Sequence, residues 1–391
     1  MQYRRFGRTE LPMPVFSCGG MRYQYQWQDQ DPAAIPKDNQ ENLRATIHRA
    51  WEVGITHIET ARGYGTSEMQ LGWVLGEFPR EKLIVQTKVA PTPDAQVFTE
   101  KFTTSLRYLQ LEYVDLLAIH GINLPEHLEW SLQVCLPLVR QWQREGRVRF
   151  VGFSTHGHVS LITAAINTGE FDYVNLHWYY IFQENWPAIL AAQKQDMGVF
   201  IISPSDKGGH LYNPPEKLVQ LCRPLHPMVF NDLFCLSHPQ VHTLSVGAAR
   251  PTDFDLHLQT LPLLSQAEIV LPPILQRLEQ AAITALGRDW YEQWAVNLPA
   301  WFETPGQINM PLILRLLNLA EAFDLWEYSR ARYRMLGPGG HWVPGRNAAD
   351  LPVAALRACL ARHPQPEEVL RRLQRAHQVL GGEAGRRLGG A

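Results

Sequence analysis

The sequence predicts an α/β fold, a (β/α)8 TIM barrel followed by a small all-α C-terminal domain. Short apolar runs alternate with helical patterns along the first part of the chain, which is typical of a parallel sheet. Several of these runs end directly at a polar or ionisable residue, as strands do at the catalytic face of such a barrel. The chain has 391 residues, whereas an ordinary barrel has roughly 250, so a second region is expected.

The predicted barrel strands are short runs rich in aliphatic residues. In chain order the eight strands are Val15–Cys18, Ile55–Ile58, Leu83–Thr87, Tyr113–Ile119, Arg147–Phe153, Tyr173–Leu176, Gly198–Ile202 and Thr243–Val246. A short hairpin precedes them, and the alternation stops near Leu261–Pro273. Proline-rich connections and helical patterns follow. We therefore predict a barrel domain at residues 1–265 and a helical domain at residues 266–391.

The composition is that of a globular protein. Hydrophobic residues make up 45% of the chain and charged residues 19%. The net charge of −2 gives no electrostatic reason to expect a nucleic acid or an anionic membrane as a partner. The five cysteines are scattered, and the sequence shows no signal peptide and no apolar run of spanning length. We expect a cytoplasmic protein with reduced thiols and with neither nucleic-acid nor membrane partners.

Residues 57–68 carry the strongest chemical signal. Glu59 follows an apolar strand, and Tyr64 lies in the glycine-containing loop after it. Tyrosine has a pKa of about 10 in water, so it donates a proton readily at neutral pH only where a cation stabilises the phenolate. Lys88 follows the next strand and can supply that cation, and His120 ends the strand after it. Each residue alone would more often be structural, but all four at successive strand ends predict a catalytic set.

Four sequence motifs, taken together, resemble the aldo-keto reductase family. They are Arg5–Met21, Glu59–Gly72, Thr87–Lys88 and Tyr113–His120, and the likeness runs over residues 1–265. The resemblance implies a barrel enzyme that reduces a small-molecule carbonyl with NAD(P)H and without a metal ion.

The resemblance also implies a role for each residue of the catalytic set. Tyr64 is the expected proton donor, and Lys88 is the cation that lowers its pKa. His120 is expected to hydrogen-bond the substrate carbonyl. Glu59 stands where the family has an aspartate paired with the lysine. Glutamate carries the same charge as aspartate on a side chain that is one methylene longer. The sequence therefore leaves open the geometry of the Glu59–Lys88 pair.

The expected nicotinamide site departs from the family at several positions. Ser154 and Thr155 stand where the family has a Ser-Asn pair that holds the nicotinamide amide. Leu176 replaces the family's glutamine, and Asn175 beside it could substitute. Ile202 replaces a tyrosine that stacks on the nicotinamide ring in many members. An aliphatic side chain can cover a ring face but cannot stack on it.

Two loops complete the expected cofactor site. Ser203, Lys207 and Gly208 lie in a loop that resembles the family's cover over the pyrophosphate. Glycine allows close backbone approach, and lysine supplies charge. Arg250 follows the last strand in a segment that resembles the adenosine-phosphate loop, and it could bind the 2′-phosphate of NADPH. The same position equally fits a surface arginine. If Arg250 binds the 2′-phosphate, the expected cofactor is NADPH.

The C-terminal region resembles a ferredoxin-like helical extension that some family members carry, with two Cys-x2-Cys-x2-Cys-x3-Cys-Pro runs. Counted back from Pro305 and Pro364, the ligand positions hold Trp294, Asn297, Ala300 and Thr304, then Val353, Leu356, Cys359 and His363. One of the eight is a cysteine, whereas cluster irons are held by cysteine thiolates. We expect a helical extension without an iron–sulfur cluster and a protein without a metal site.

Two functions of different classes fit the sequence. The first is an NADPH-dependent aldehyde or ketone reductase with Tyr64 as the proton donor. The alternative is a regulatory or scaffold protein whose barrel binds NADP(H) with little or no turnover. The departures at Glu59, Leu176 and Ile202 keep the alternative open.

Overall fold

The structure, a computed structural model, describes residues 1–385. These residues form two compact units. The barrel unit comprises residues 1–208 and 231–267, and the C-terminal unit comprises residues 209–230 and 268–385. The sequence analysis assigned residues 209–230 to the barrel, and the structure differs. Arg277 is one contact within this unit, because its guanidinium donates to the carbonyls of Leu221, at 3.1 Å, and of Arg223.

The barrel unit is an α/β barrel, as the sequence predicted. An antiparallel hairpin of β1 (Tyr3–Arg5) and β2 (Pro12–Pro14) precedes the barrel. Within residues 1–385 the barrel strands are β3 (Phe16–Gly19), β4 (His57–Glu59), β5 (Ile84–Val89), β6 (Val114–His120), β7 (Val148–Ser154), β8 (Tyr173–Leu176), β9 (Gly198–Ile201) and β10 (Thr243–Val246). Each strand pairs in parallel with the next, and β10 pairs with β3 to close the barrel.

Helices occupy the connections between the strands. They are α1 (Lys37–Glu52), α2 (Ser67–Leu75), α3 (Ala95–Leu109), α4 (Pro125–Trp130), α5 (Leu136–Arg144), α6 (Val159–Asn167), α7 (Trp186–Lys194), α8 (Glu216–Cys222), α9 (Pro227–Leu236) and α10 (Phe254–Leu258). A wider π turn at Ser131–Cys135 joins α4 to α5. Pro137, in the first turn of α5, has no N–H with which to continue a regular α ladder across this junction.

The barrel interior is filled by alternate residues of the strands. Leu116 and Tyr173, near the amino ends of β6 and β8, pack in one buried cluster with Phe6 and Met13 of the hairpin. Side chains alternate between the two faces of a strand. Residues two or four positions after these core residues therefore also point inward, nearer the carboxyl ends of the strands. Asn175, two positions after Tyr173, is one of them.

The regular secondary structure of the C-terminal unit is helical, as predicted. Its helices after α10 are α11 (Ala267–Leu286), α12 (Arg288–Gln293), α13 (Met310–Phe323), α14 (Trp326–Tyr333), α15 (Val353–Cys359) and α16 (Pro366–Leu380). Arg372 links three of them, because its guanidinium pairs with Glu321 at 3.1 Å and lies 4.5 Å from the centre of the Trp290 ring. In residues 1–385 no helix has both the length and the apolar character that crossing a membrane requires.

Candidate active site

Polar residues gather at the carboxyl ends of neighbouring barrel strands. Glu59 ends β4, Lys88 is the last but one residue of β5, and His120 ends β6. The strand register pairs His120 with Ser154 and Ser154 with Asn175. Because the strands are parallel, their carboxyl ends form one rim, which is where barrel enzymes carry their active sites.

Lys88 and Glu59 form a buried ion pair below this rim. Lys88 Nζ donates to the Glu59 carboxylate and, at 2.8 Å, to the carbonyl oxygen of Thr60. Burial by itself lowers the pKa of Lys88, but the charge of Glu59 and the neighbouring Tyr64 outweigh it and raise the pKa above its ordinary value. Lys88 is therefore a cation at neutral pH.

The structure shows how the longer side chain of Glu59 fits beside Lys88, a question that the sequence left open. Glu59 Oε1 accepts a hydrogen bond from Ser245 Oγ at 3.1 Å. Gly19 is the register partner of Glu59 on the adjoining strand. A Cβ atom at Gly19 would lie 3.0 Å from Glu59 Oε1 and 2.6 Å from Ser245 Oγ. The missing side chain of Gly19 thus leaves the space that the longer carboxylate occupies.

The structure brings Tyr64 and His120 to the same pair. The Tyr64 hydroxyl lies 3.5 Å from Lys88 Nζ, a long contact of the kind that tightens when a substrate is bound. Lys88 Nζ also lies 4.8 Å from the centre of the Tyr64 ring. The rings of Tyr64 and His120 meet edge to face with 5.6 Å between their centres. The four residues of the predicted catalytic set therefore form one cluster.

Trp27 is a neighbour of Tyr64 that the sequence analysis did not identify. The centres of the two rings are 6.1 Å apart and the rings meet edge to face. The backbone beside Trp27 is fixed, because Thr66 N donates to the carbonyl oxygen of Gln26 at 3.0 Å. Gly65 makes this approach possible, since a Cβ atom there would lie 2.1 Å from the same oxygen. No motif or periodic pattern linked residue 27 to the tyrosine loop.

Asn175 fits the amide of a nicotinamide. Its side-chain oxygen and nitrogen are buried and have no hydrogen-bond partner within residues 1–385. Buried amides are normally hydrogen-bonded, so an unmet donor and acceptor on the inward face suit a ligand that carries an amide. Ser154, its register partner, accepts a hydrogen bond from Gly121 N at 3.0 Å. Leu176 falls on the opposite face of β8, and Asn175 is therefore the better placed of the two.

Thr155 is held within its own loop. Its hydroxyl donates to the carbonyl oxygen of Ile122 at 2.7 Å and accepts from Gly157 N at 2.9 Å. These bonds use the proton and a lone pair of the hydroxyl. The structure thus gives Thr155 a part in fixing the loop after β7, where the family's asparagine would meet the cofactor directly.

The loop after β9 directs its lysine toward neighbouring strand ends. Ser203 has a left-handed backbone with φ of 55°, and its carbonyl oxygen accepts from Lys207 N at 3.0 Å. Gly208, next in the chain, is buried. Lys207 Nζ lies 3.0 Å from His177 Nε2 and 3.3 Å from each ring nitrogen of His156. The sequence analysis assigned neither histidine a role in the site.

Arg250 lies on an ordered loop after β10. Its side chain is 72% exposed, and Nε lies 3.1 Å from Asp253 Oδ1. The same carboxylate accepts from Ala249 N at 2.8 Å. This placement leaves the guanidinium accessible to a phosphate and equally fits a surface arginine. His257, seven residues further along, is buried, and its Nδ1 lies 2.5 Å from Asp232 Oδ2.

Two of the positions at which the sequence analysis looked for cluster ligands contact the segment that holds the other run. His363, the fourth position of the second run, lies with Nε2 3.1 Å from the carbonyl oxygen of Trp294, the first position of the first run. Cys359 Sγ lies 3.8 Å from the carbonyl oxygen of Glu303, beside Thr304. Among residues 1–385 no three or more His, Cys, Asp or Glu side chains are grouped as a metal ion would require. Absence of an iron–sulfur cluster stays a prediction.

The closed barrel and the polar cluster at its rim define a (β/α)8 barrel with an enzyme-like site. Comparison with known proteins shows what the barrel is similar to. Residues 17–211 match the model of the aldo/keto reductase family. An aldo-keto reductase of Bacillus halodurans has the same fold, with a TM-score of 0.59 at 19% identity over 71% of this chain and 96% of that one.

Two further relatives show the extent of the likeness. L-galactose dehydrogenase of Arabidopsis thaliana is 28% identical over 192 residues, which are 45% of this chain and 60% of that enzyme. An aldo-keto reductase of Klebsiella pneumoniae, solved in complex with NADP and acetate, superposes with a TM-score of 0.55 at 17% identity, over 70% of this chain and 96% of that one. The matched region thus spans less than two thirds of the plant enzyme.

Breaking the Lys88–Glu59 pair is expected to destabilise the barrel. Lys88→Met leaves the Glu59 carboxylate buried without its cation, and we expect the free energy of unfolding to fall by about 3–5 kcal/mol. Urea denaturation at pH 7, followed by circular dichroism, measures it. The double variant Lys88→Met/Glu59→Gln removes both charges and should lose less than the single variant. Equal losses would show that the unpaired carboxylate is not what destabilises the single variant, and no loss in Lys88→Met would show that the pair does not stabilise the fold.

Proposed function

We propose that this protein is an NADPH-dependent reductase of small-molecule aldehydes or ketones. The observation that carries the proposal is the cluster of Tyr64, Lys88, Glu59 and His120 at the barrel rim. Reduction of a carbonyl builds negative charge on its oxygen, so a proton donor and a hydrogen-bond donor are needed there. In this proposal Tyr64 gives the proton and His120 gives the hydrogen bond.

Lys88 and Glu59 prepare Tyr64 for this role. The ammonium of Lys88 is a cation beside the phenol, and a nearby cation stabilises the phenolate that forms when the proton leaves. Glu59 balances the buried charge and fixes the position of the ammonium. The tyrosine proton is thus released toward the carbonyl oxygen at neutral pH, where tyrosine in water would hold it.

The cofactor residues are proposed from the same rim. Ser154 and Asn175 would hold the nicotinamide amide, with Thr155 fixing the loop beside them. Lys207, with Ser203 and Gly208 in its loop, would hold phosphate groups, and Arg250 would hold the 2′-phosphate. When bound, the reduced nicotinamide supplies the hydride. The unmet hydrogen bonds of Asn175 support this arrangement, as does the NADP complex of the related Klebsiella pneumoniae protein.

The alternative is a regulatory or scaffold protein that binds NADP(H) with little or no turnover. One observation favours it, the 3.5 Å between the Tyr64 hydroxyl and Lys88 Nζ, because a weaker contact gives the phenolate less stabilisation. A steady-state assay with NADPH and a panel of aldehydes separates the two functions. Turnover supports the reductase, and NADPH binding without turnover supports the alternative.

Removing the phenol should abolish reduction while leaving the cofactor bound. In the Tyr64→Phe variant we expect kcat to fall by at least about 100-fold, the usual scale of a lost general acid, because the proton has no other donor. The dissociation constant for NADPH, from fluorescence titration, should stay near that of the wild type. Trp27→Phe, which changes the neighbouring ring and keeps the phenol, is the control. Unchanged turnover in the Tyr64 variant would assign the proton to another group.

Cofactor choice is expected to depend on Arg250. In Arg250→Ala, the dissociation constant for NADPH should rise by about tenfold while that for NADH changes little, because a charged hydrogen bond to the 2′-phosphate is lost. Arg288→Ala, at a similarly exposed arginine of the C-terminal unit, controls for surface charge. Equal weakening for both cofactors, or a wild-type preference for NADH, would contradict the assignment.

We also propose that the C-terminal unit is a ferredoxin-like domain without a cluster. In two-cluster ferredoxins the fourth cysteine of one run ligates the cluster of the other run. The crosswise contacts of His363 with Trp294 and of Cys359 with Glu303 follow that relation. Leu356, at another ligand position, is fully buried. Side chains thus occupy the volume that clusters would fill, and the domain has a structural role.

Iron and acid-labile sulfide should therefore be absent from protein purified anaerobically. Cys359 is the one thiol among the eight positions, and a single thiolate cannot hold a cluster. Anaerobic incubation with ferrous iron and sulfide, followed by desalting, should leave no visible absorption band. Cys359→Ala should give the same result. Stoichiometric iron with a reducible visible band would overturn both the structural role and the choice of nicotinamide as the reductant.

A further inference from the structure

Arg62 lies two residues before Tyr64 in the chain and contacts two carboxylates at once. One amino group of its guanidinium donates to Glu68 Oε2 at 2.8 Å, and the other donates to Asp29. The guanidinium carbon lies 4.9 Å from the centre of the Tyr108 ring. The side chain is 14% exposed, so the guanidinium is held between an aromatic ring and two acids.

Glu68 is the buried end of this arrangement. Its side chain is fully buried. Burial raises the pKa of the Glu68 carboxyl, and the charge of Arg62 opposes that rise. The other carboxylate oxygen, Oε1, accepts from Thr87 Oγ1 at 2.5 Å. A carboxylate that is buried without a cation is strongly unfavourable. Glu68 therefore binds the guanidinium with one oxygen and β5, beside Lys88, with the other.

The Arg62–Glu68 pair joins the two ends of the segment that carries Tyr64. Arg62 N also donates to the carbonyl oxygen of Lys88 at 2.9 Å. The backbone of this segment is thus bonded to the residue whose ammonium faces the phenol. These contacts set the height of the tyrosine loop above β5.

The contact with Asp29 ties a second segment to the tyrosine loop. Asp29 lies before α1, two residues after Trp27, whose ring meets the Tyr64 ring edge to face. The Asp29 side chain is half-exposed, so this contact by itself contributes little to stability. It joins the two segments because the planar fork of Arg62 presents separate donors to separate carboxylates, which a single ammonium does not.

We propose that Arg62 is a positioning residue for Tyr64. Its contacts with the two carboxylates keep the phenol within reach of the Lys88 ammonium. Misplacing a reacting group by about 1 Å can cost on the order of 100-fold in rate. The effect on turnover rests on the proposed reductase function, whereas the placement of the phenol beside the ammonium does not. A cation that lies further away stabilises the phenolate less, so the pKa of Tyr64 reports this placement.

The variant Arg62→Met/Glu68→Gln tests the proposal, because it removes the pair without changing the net charge or leaving a carboxylate buried alone. NMR titration with tyrosine isotope-labelled at Cζ follows the phenols, and the Tyr64 signal is the one that Tyr64→Phe removes. We expect the pKa of Tyr64 to rise by at least about one unit relative to the wild type. We also expect kcat to fall by at least about tenfold, with the NADPH dissociation constant near that of the wild type. Arg62→Lys, which keeps a cation for Glu68, should lie between the two proteins in both measurements.

Arg80→Met/Asp115→Asn is the matched control. Arg80 pairs with the buried Asp115 at 2.8 Å, and its guanidinium carbon lies 4.0 Å from the centre of the Tyr113 ring. This pair lies near the amino ends of β5 and β6, away from the rim that carries Tyr64. The control should lower the melting temperature as the Arg62 variant does, and it should keep the wild-type kcat and the wild-type pKa of Tyr64.

The groups that face the phenol are Lys88, with Glu59 behind it, and His120, and they are the same in every variant. Circular dichroism checks the fold over the pH range. An unchanged pKa of Tyr64 in the Arg62 variant, or equal changes in that variant and the control, overturns the proposal. If the wild type reduces no carbonyl, the reductase proposal fails, and the comparison of pKa values still decides whether Arg62 positions the phenol.

Discussion

The candidate site depends on the buried ion pair between Lys88 and Glu59. An ammonium inside a barrel loses its hydration, so it stays charged only where a carboxylate contacts it. Here the second carboxylate oxygen is fixed by Ser245, and Gly19 leaves the space for it. These residues come from β3, β4, β5 and β10, so closure of the barrel brings the ion pair and its neighbours together. A longer acid in place of aspartate is compatible with the site because its surroundings are shaped to receive it.

Strand alternation then brings uncharged polar groups to the same rim. The preceding inward-facing residues of β6 and β8 belong to the packed core of the barrel. His120 and Asn175 lie beyond them, at the carboxyl ends of the same strands. A buried amide without a partner costs about 1–3 kcal/mol, and Asn175 has none in residues 1–385. The fold tolerates this cost at a position where a bound amide would remove it. A buried polar group of the barrel that lacks partners in residues 1–385 thus lies where a bound amide would supply them.

Local patterns predicted the barrel and the proximity of Tyr64, Lys88, Glu59 and His120, and tertiary contacts account for what the patterns missed. Aliphatic runs ended by one polar residue are visible in sequence, and β8 and β10 have their predicted bounds. The strand predicted from Ile55 begins at His57, because Ile55 N still bonds Ala50 in the preceding turn, at 2.8 Å. The contacts of Trp27 and of Lys207 depend on how separate loops meet, which periodicity does not encode. The grouping of residues 209–230 likewise depends on tertiary contacts, such as those of Arg277 with Leu221 and of His210 with Tyr328.

The proposed absence of a cluster from the C-terminal unit bears on the chemistry. A cluster-bearing extension would offer a route for electrons, and iron needs several thiolates for that. In the proposed cluster-free domain the stabilisation comes from apolar burial, about 1.5–3 kcal/mol for each large side chain, as at Leu356 and Ile313. His363 keeps a structural hydrogen bond to the chain it faces. Such a domain can hold its shape without passing electrons, so the proposed reaction draws both electrons from a nicotinamide bound at the barrel rim.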